Sequence, residues 1–79
     1  MRKGYYKRGD LVQAPNSFLA RTAAGCFAGI HSHNIEAATI GIVRGPVHGE
    51  PGLYEVEFEL GANQTVSVEA ENYQLQPLT

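Results

Sequence analysis

Residues 54 to 60, Tyr54-Glu55-Val56-Glu57-Phe58-Glu59-Leu60, alternate apolar and acidic side chains without a break. Successive side chains of a strand point to opposite faces, so this run sets Tyr54, Val56, Phe58 and Leu60 against Glu55, Glu57 and Glu59. It is expected to form a strand, from Leu53 to Leu60, with one buried and one wet face. The surrounding stretch, Thr39 to Ala70, reads as three consecutive antiparallel strands. Before it, Ala38 to Arg44 places Ile40 and Ile42 on one face and Gly41 and Val43 on the other, the pattern of a strand covered on both sides. The connection from Gly45 to Gly52 carries three glycines and two prolines and is a turn or exposed loop. After it, Gly61-Ala62-Asn63-Gln64 turns the chain into Thr65 to Ala70, where Val66, Val68 and Ala70 match the inward set, so the pair is a hairpin.

The flanks add two short strands. Gly9-Asp10 is turn chemistry, followed by Leu11-Val12-Gln13, which Pro15 ends; if Val12 faces the core, Leu11 faces out. At the other end Glu71-Asn72-Tyr73 reads as one tight turn and Gln74-Leu75-Gln76 as a closing strand stopped by Pro77. Between the first two strands, Asn16 to Ala38 differs from the rest. Asn16 or Ser17 can cap a helix with Phe18, Leu19, Thr22, Ala23, Cys26, Phe27 and Ile30 on one face. Gly25 and Gly29 each cost about 1 kcal/mol inside a helix, so the expectation is a short helix from about Ser17 to Ala24 within a long first loop.

At 79 residues the chain is a single domain, residues 1–79. A domain of this size buries only about 60% of its unfolded surface, so a partner or oligomerisation would add stability. A single cysteine forms no internal disulfide framework, and a formal charge of −2 gives no field that attracts nucleic acid. The basic start is followed by Gly9-Asp10 and no apolar run, unlike a signal peptide or membrane anchor; a soluble, cytoplasmic protein is expected.

Several groups could carry chemistry. Four basic residues among the first eight are interleaved with Tyr5 and Tyr6, and Tyr5, Tyr6, Lys7 and Arg8 could grip a phosphate backbone and stack bases. Against this, only Arg21 and Arg44 are basic further on, too few for a continuous stripe. Cys26, His31 and His33 lie within eight residues, and a thiolate with two imidazoles can bind zinc. Structural zinc sites use four ligands at recurrent spacings; with no partner knuckle, Cys26 is expected to pack as a small apolar residue, and no metal or other cofactor is expected. A Cys26 nucleophile with a histidine base would need a third orienting group and an oxyanion site, neither of which is recognisable. Glu55, Glu57, Glu59 and Glu69 form an acidic face that suits either a basic partner or plain solvation.

The opening Gly9-Asp10-x-Val12, Gly41-x-Val43, Tyr54-x-Val56-x-Phe58 and Tyr73-x-Leu75-x-Pro77 together resemble an SH3-like barrel over nearly the whole chain. In this spacing the chain is similar to small barrel subunits of bacteria and cyanobacteria, including the C-terminal domain of the nitrile hydratase beta subunit, the variable subunit of ferredoxin-thioredoxin reductase and accessory subunits of photosystem I. That resemblance implies a mostly β fold, a small five-stranded SH3-like barrel with a long first loop that can hold a short helix. It also implies a non-enzymatic accessory or regulatory module that docks on a larger protein. The apolar first loop and exposed Leu11 are the surface expected to meet that protein or a second copy, with Leu11, Phe18, Leu19, Phe27 and Ile30 as contacts and Arg21 and Arg44 as polar anchors. A second barrel family, the type II dihydrofolate reductases, assembles tetramers around a catalytic pore. Its Val-Gln-Ile-Tyr segment has no counterpart in Thr65-Val66-Ser67-Val68-Glu69.

Overall fold

The computed structural model describes residues 6–23 and 32–78. Tyr5, Cys26, Phe27, Ile30 and His31 lie outside the described residues. The described chain forms seven strands: β1 (Leu11–Gln13), β2 (Phe18–Thr22), β3 (Ser32–Ile35), β4 (Ile40–Pro46), β5 (Leu53–Gly61), β6 (Gln64–Glu71) and β7 (Gln76–Pro77). A single 3₁₀ turn, Asn72–Gln74, precedes β7. No helix among the described residues is long and apolar enough to cross a membrane.

The strands make one antiparallel sheet in the order β3-β2-β6-β5-β4-β1-β7. Its ends, β3 and β7, each pair on one side only, so the sheet is open and is not the closed five-stranded barrel expected from the sequence. It is nevertheless far from flat. β1 and β2 stand four interstrand steps apart, about 19 Å across a flat sheet. The chain from Gln13 to Phe18 takes five peptide steps, which reach at most about 18 Å fully extended. The same four steps separate β6 from β7, bridged from Glu71 to Gln76 by a connection that includes the 3₁₀ turn. Two such short crossings force the sheet to curl over its own apolar face.

Among the described residues that curl makes a core with no helix laid over it. Val12, Ala14, Ala20, Ile35, Val43, Tyr54, Val56, Phe58, Val68, Ala70 and Leu75 form one buried cluster, and Phe18 packs against it with its ring edge-on to Phe58 at 6.1 Å. The alternation in β5 is borne out for Tyr54, Val56 and Phe58, all buried. The pairing β5 to β6 sets Val56 opposite Val68 and Phe58 opposite Val66, the hairpin expected from the sequence.

Four further expectations are corrected. The closing strand, expected over Gln74 to Gln76 and stopped by Pro77, is Gln76–Pro77: Gln74 belongs to the 3₁₀ turn, and Pro77 itself pairs with Val12. Phe18–Thr22 is a strand, where a helix from Ser17 to Ala24 was expected: Phe18, Ala20 and Thr22 face inward at period two, and pairing with both β3 and β6 satisfies the backbone. Leu60 is 45% exposed, not buried. Glu59 pairs with Thr65 and Gly61 with Gln64, which leaves Leu60 unopposed in a bulge that ends the alternation. Finally, β4 is covered on one face only. Gly41 and Val43 are buried, whereas Ile40 and Ile42 are each 40% exposed.

Candidate protein-docking face

The outer face of the sheet can be built up from its register. Leu11 on β1 stands opposite Ile42 on β4, and Ile42 stands opposite Glu57 on β5, itself opposite Ser67 on β6. One step along, Gln13 pairs with Ile40, and the outer side chains beyond it are Glu59 and its partner Thr65. Leu11, Ile40, Gly41, Ile42, Glu57, Glu59 and Thr65 line one shallow groove. The face therefore carries two adjoining lanes, an apolar one on β1 and β4 and an acidic one on β5.

Two features of β4 produce this arrangement. Gly41 lets the strand lie close on β5: a Cβ there would meet Phe58 Cδ1 and Val56 Cγ1 at 2.8 Å and the Glu57 carbonyl oxygen at 3.0 Å. With β4 held so closely, Ile40 and Ile42 have only the outer side left to them. Arg44 then sits at a second bulge, between the pairs Val43 to Val56 and Gly45 to Glu55. Its Nη1 lies 3.6 Å from Glu57 Oε1, the one ion pair among the described residues, with both side chains part exposed. Such a surface pair contributes at most about 1 kcal/mol. Further along the acidic lane Glu55 stands directly opposite Glu69, and Arg21 on β2 pairs in register with Glu69 from the other side.

The contact residues expected from the sequence divide between two places. Leu11, 49% exposed, and Arg44 belong to this face. Leu19, 68% exposed, and Arg21 lie on β2 across the sheet, beside Leu53, Glu71 and Tyr73. Phe18 is turned to the core. Phe27 and Ile30 fall outside the described residues. Ile40 and Ile42 were missed as contacts because their alternation was read as a doubly covered strand; the signal was present, and the second cover is what the described chain does not supply.

The basic and aromatic start is only part described. Tyr6 is half-buried, edge-on to Tyr54 with ring centroids 5.5 Å apart, and its backbone N–H donates to the Tyr54 hydroxyl at 3.2 Å. Burial foremost, then the neighbouring Tyr54 and Asp10, raises the Tyr6 pKa above the usual tyrosine value. A ring so engaged is poorly placed to stack a base. Lys7 and Arg8 are exposed in a turn closed by Asp10, whose Oδ2 accepts from the Lys7 N–H at 2.9 Å.

Among the described residues no three His, Cys, Asp or Glu side chains converge as a metal site would require. His33 is half-buried with Nε2 3.3 Å from Thr22 Oγ1; Cys26 and His31 lie outside the described residues. The hollow inside the loop 46–52 is walled by Pro46, Val47, Pro51, Gly52 and Tyr54, and its only ionisable side chains besides Tyr54 are His48 and Glu50. Comparison of the chain with protein-family models, with curated proteins and with solved structures found no match.

Proposed function

We propose that this chain is a non-enzymatic interaction module that docks on a larger protein through the outer face of β1 and β4. The observation that carries the reading is the two-sided apolar pattern of β4: the core takes Val43 and Gly41, while Ile40 and Ile42, with Leu11 beside them, stay part exposed. Covering the part of each side chain still in water is worth on the order of 1 kcal/mol per residue, a gain that only another surface supplies. Kinship with SH3-like accessory domains belongs to the same proposal. The tight β5–β6 hairpin and the single helical turn before the last strand support it, and the extra strands and unclosed ends set this chain apart.

The test is affinity capture from extracts of the source cells with the wild type and with an Ile40→Glu/Ile42→Glu double variant. Both substitutions lie on the outer face, so the variant keeps its fold, which circular dichroism checks. The wild type is expected to retain a defined larger protein that the double variant loses. Equal retention by both, or no retained protein, overturns the docking reading.

A further inference from the structure

We infer that the partner surface is cationic as well as apolar: a protein segment that sets a ridge of apolar side chains beside a row of lysines or arginines. The inference rests on the docking reading above and specifies what docks. Register places Glu57 beside Ile42, with Glu59 next along the strand, so whatever covers the isoleucines also meets these carboxylates. The outer row of β5 and β6 holds Glu55, Glu57, Glu59 and Glu69, with Arg44 and Arg21 as its nearby cations, an excess of two negative charges. Glu55 directly opposite Glu69 is a repulsive pairing that a docked cation relieves.

Charge decides among the possible occupants. A second copy laid face to face would bring acidic lane towards acidic lane, and the arginines of each copy already stand beside its own carboxylates. Anionic lipid and nucleic acid are disfavoured by the acidic lane. A cationic protein segment is attracted, and electrostatic complementarity of this kind also fixes its register. Geometry suits such a segment too. Ile40 and Ile42, like Glu57 and Glu59, repeat at about 6.6 Å along their strands, close to the about 6 Å between residues i and i+4 of a helix and equal to i and i+2 of a strand.

Three synthetic amphipathic peptides of about ten residues test this. They share one apolar side and carry lysine, glutamine or glutamate on the other. Binding is followed by amide chemical shifts at low and at physiological salt. The lysine peptide is expected to perturb Leu11, Ile40, Ile42, Glu57 and Glu59, to bind at least about tenfold more tightly than the glutamine peptide at low salt, and to lose that margin as salt rises. Glu57→Gln/Glu59→Gln should remove the margin, so that the lysine and glutamine peptides bind the variant equally. Equal binding of all three peptides, binding elsewhere on the sheet, or no binding of the lysine peptide overturns the inference. So does self-association of the protein that Ile42→Lys abolishes, since the occupant is then a second copy. The peptide results leave the capture experiment untouched, and its failure removes the docking reading; self-association through Ile42 would replace that reading as well.

Discussion

A methyl group added at Gly41 has nowhere to go. Its three nearest atoms, at 2.8, 2.8 and 3.0 Å, include the Glu57 carbonyl oxygen and two side chains, those of Phe58 and Val56, that are themselves fully buried. Gly41 is not in a positive-φ conformation, so the requirement is for room and not for backbone freedom. Gly41→Ala is therefore expected to lower stability by about 1–3 kcal/mol, as overpacking of a tight core does. Urea unfolding measures it. Gly61→Ala is the control, since a Cβ there meets nothing nearer than 4.0 Å, and it should change stability by less than about 1 kcal/mol. A glycine inside a strand pattern is the sequence sign of such a close approach, although only the structure tells which ring lies over it.

At the scale of the element, β4 shows how unequal the two faces of one strand can be. Val43 is fully buried and Ile42, its neighbour, is 40% exposed. Val43→Ala should cost about 2 kcal/mol, whereas Ile42→Thr, which keeps the β-branch and much of the covered surface, should cost less than about 1 kcal/mol, a contrast that thermal or urea unfolding of the isolated protein resolves. Equal losses would mean that the outer face carries stability and is not held for a partner. Strands β4, β5 and β6 were legible in the sequence because period-two alternation survives wherever a ladder runs unbroken. It failed at Leu60 because a bulge shifts the register there. It was overlooked in β2, where Phe18, Leu19 and Thr22 also satisfy helical spacing. The partners that decide for a strand are β6, far along the chain, and β3, across the loop. The acidic lane was legible residue by residue. Its junction with Leu11, Ile40 and Ile42 was not, since that depends on which strands become neighbours.

The molecule as a whole is held in its curl by two short crossings and by the N-terminal lead, which Tyr6 fastens to β5 through Tyr54. Burial raises the Tyr6 pKa, so the folded state favours the protonated phenol more than the unfolded chain does. The sign follows: this contribution is fully present below the ordinary tyrosine value of about 10 and is lost as pH climbs through the raised folded value. Between about pH 9 and about pH 11 the urea stability of the wild type should fall more steeply than that of Tyr6→Phe, which has no phenol to ionise. Parallel profiles would show that the lead is not fastened in solution.

The same edge-to-face pair makes the protein its own optical reporter. The chain has no tryptophan and four tyrosines, so its near-ultraviolet spectrum is a tyrosine spectrum. Of the described tyrosines, Tyr73 is largely in water, while Tyr6 and Tyr54 meet at 5.5 Å with their planes 82° apart. Two chromophores fixed at that angle couple and give circular dichroism that an isolated, rotating ring does not. Loss of that band reports detachment of Tyr6 from β5 separately from melting of the sheet, which far-ultraviolet dichroism follows, and it requires no label.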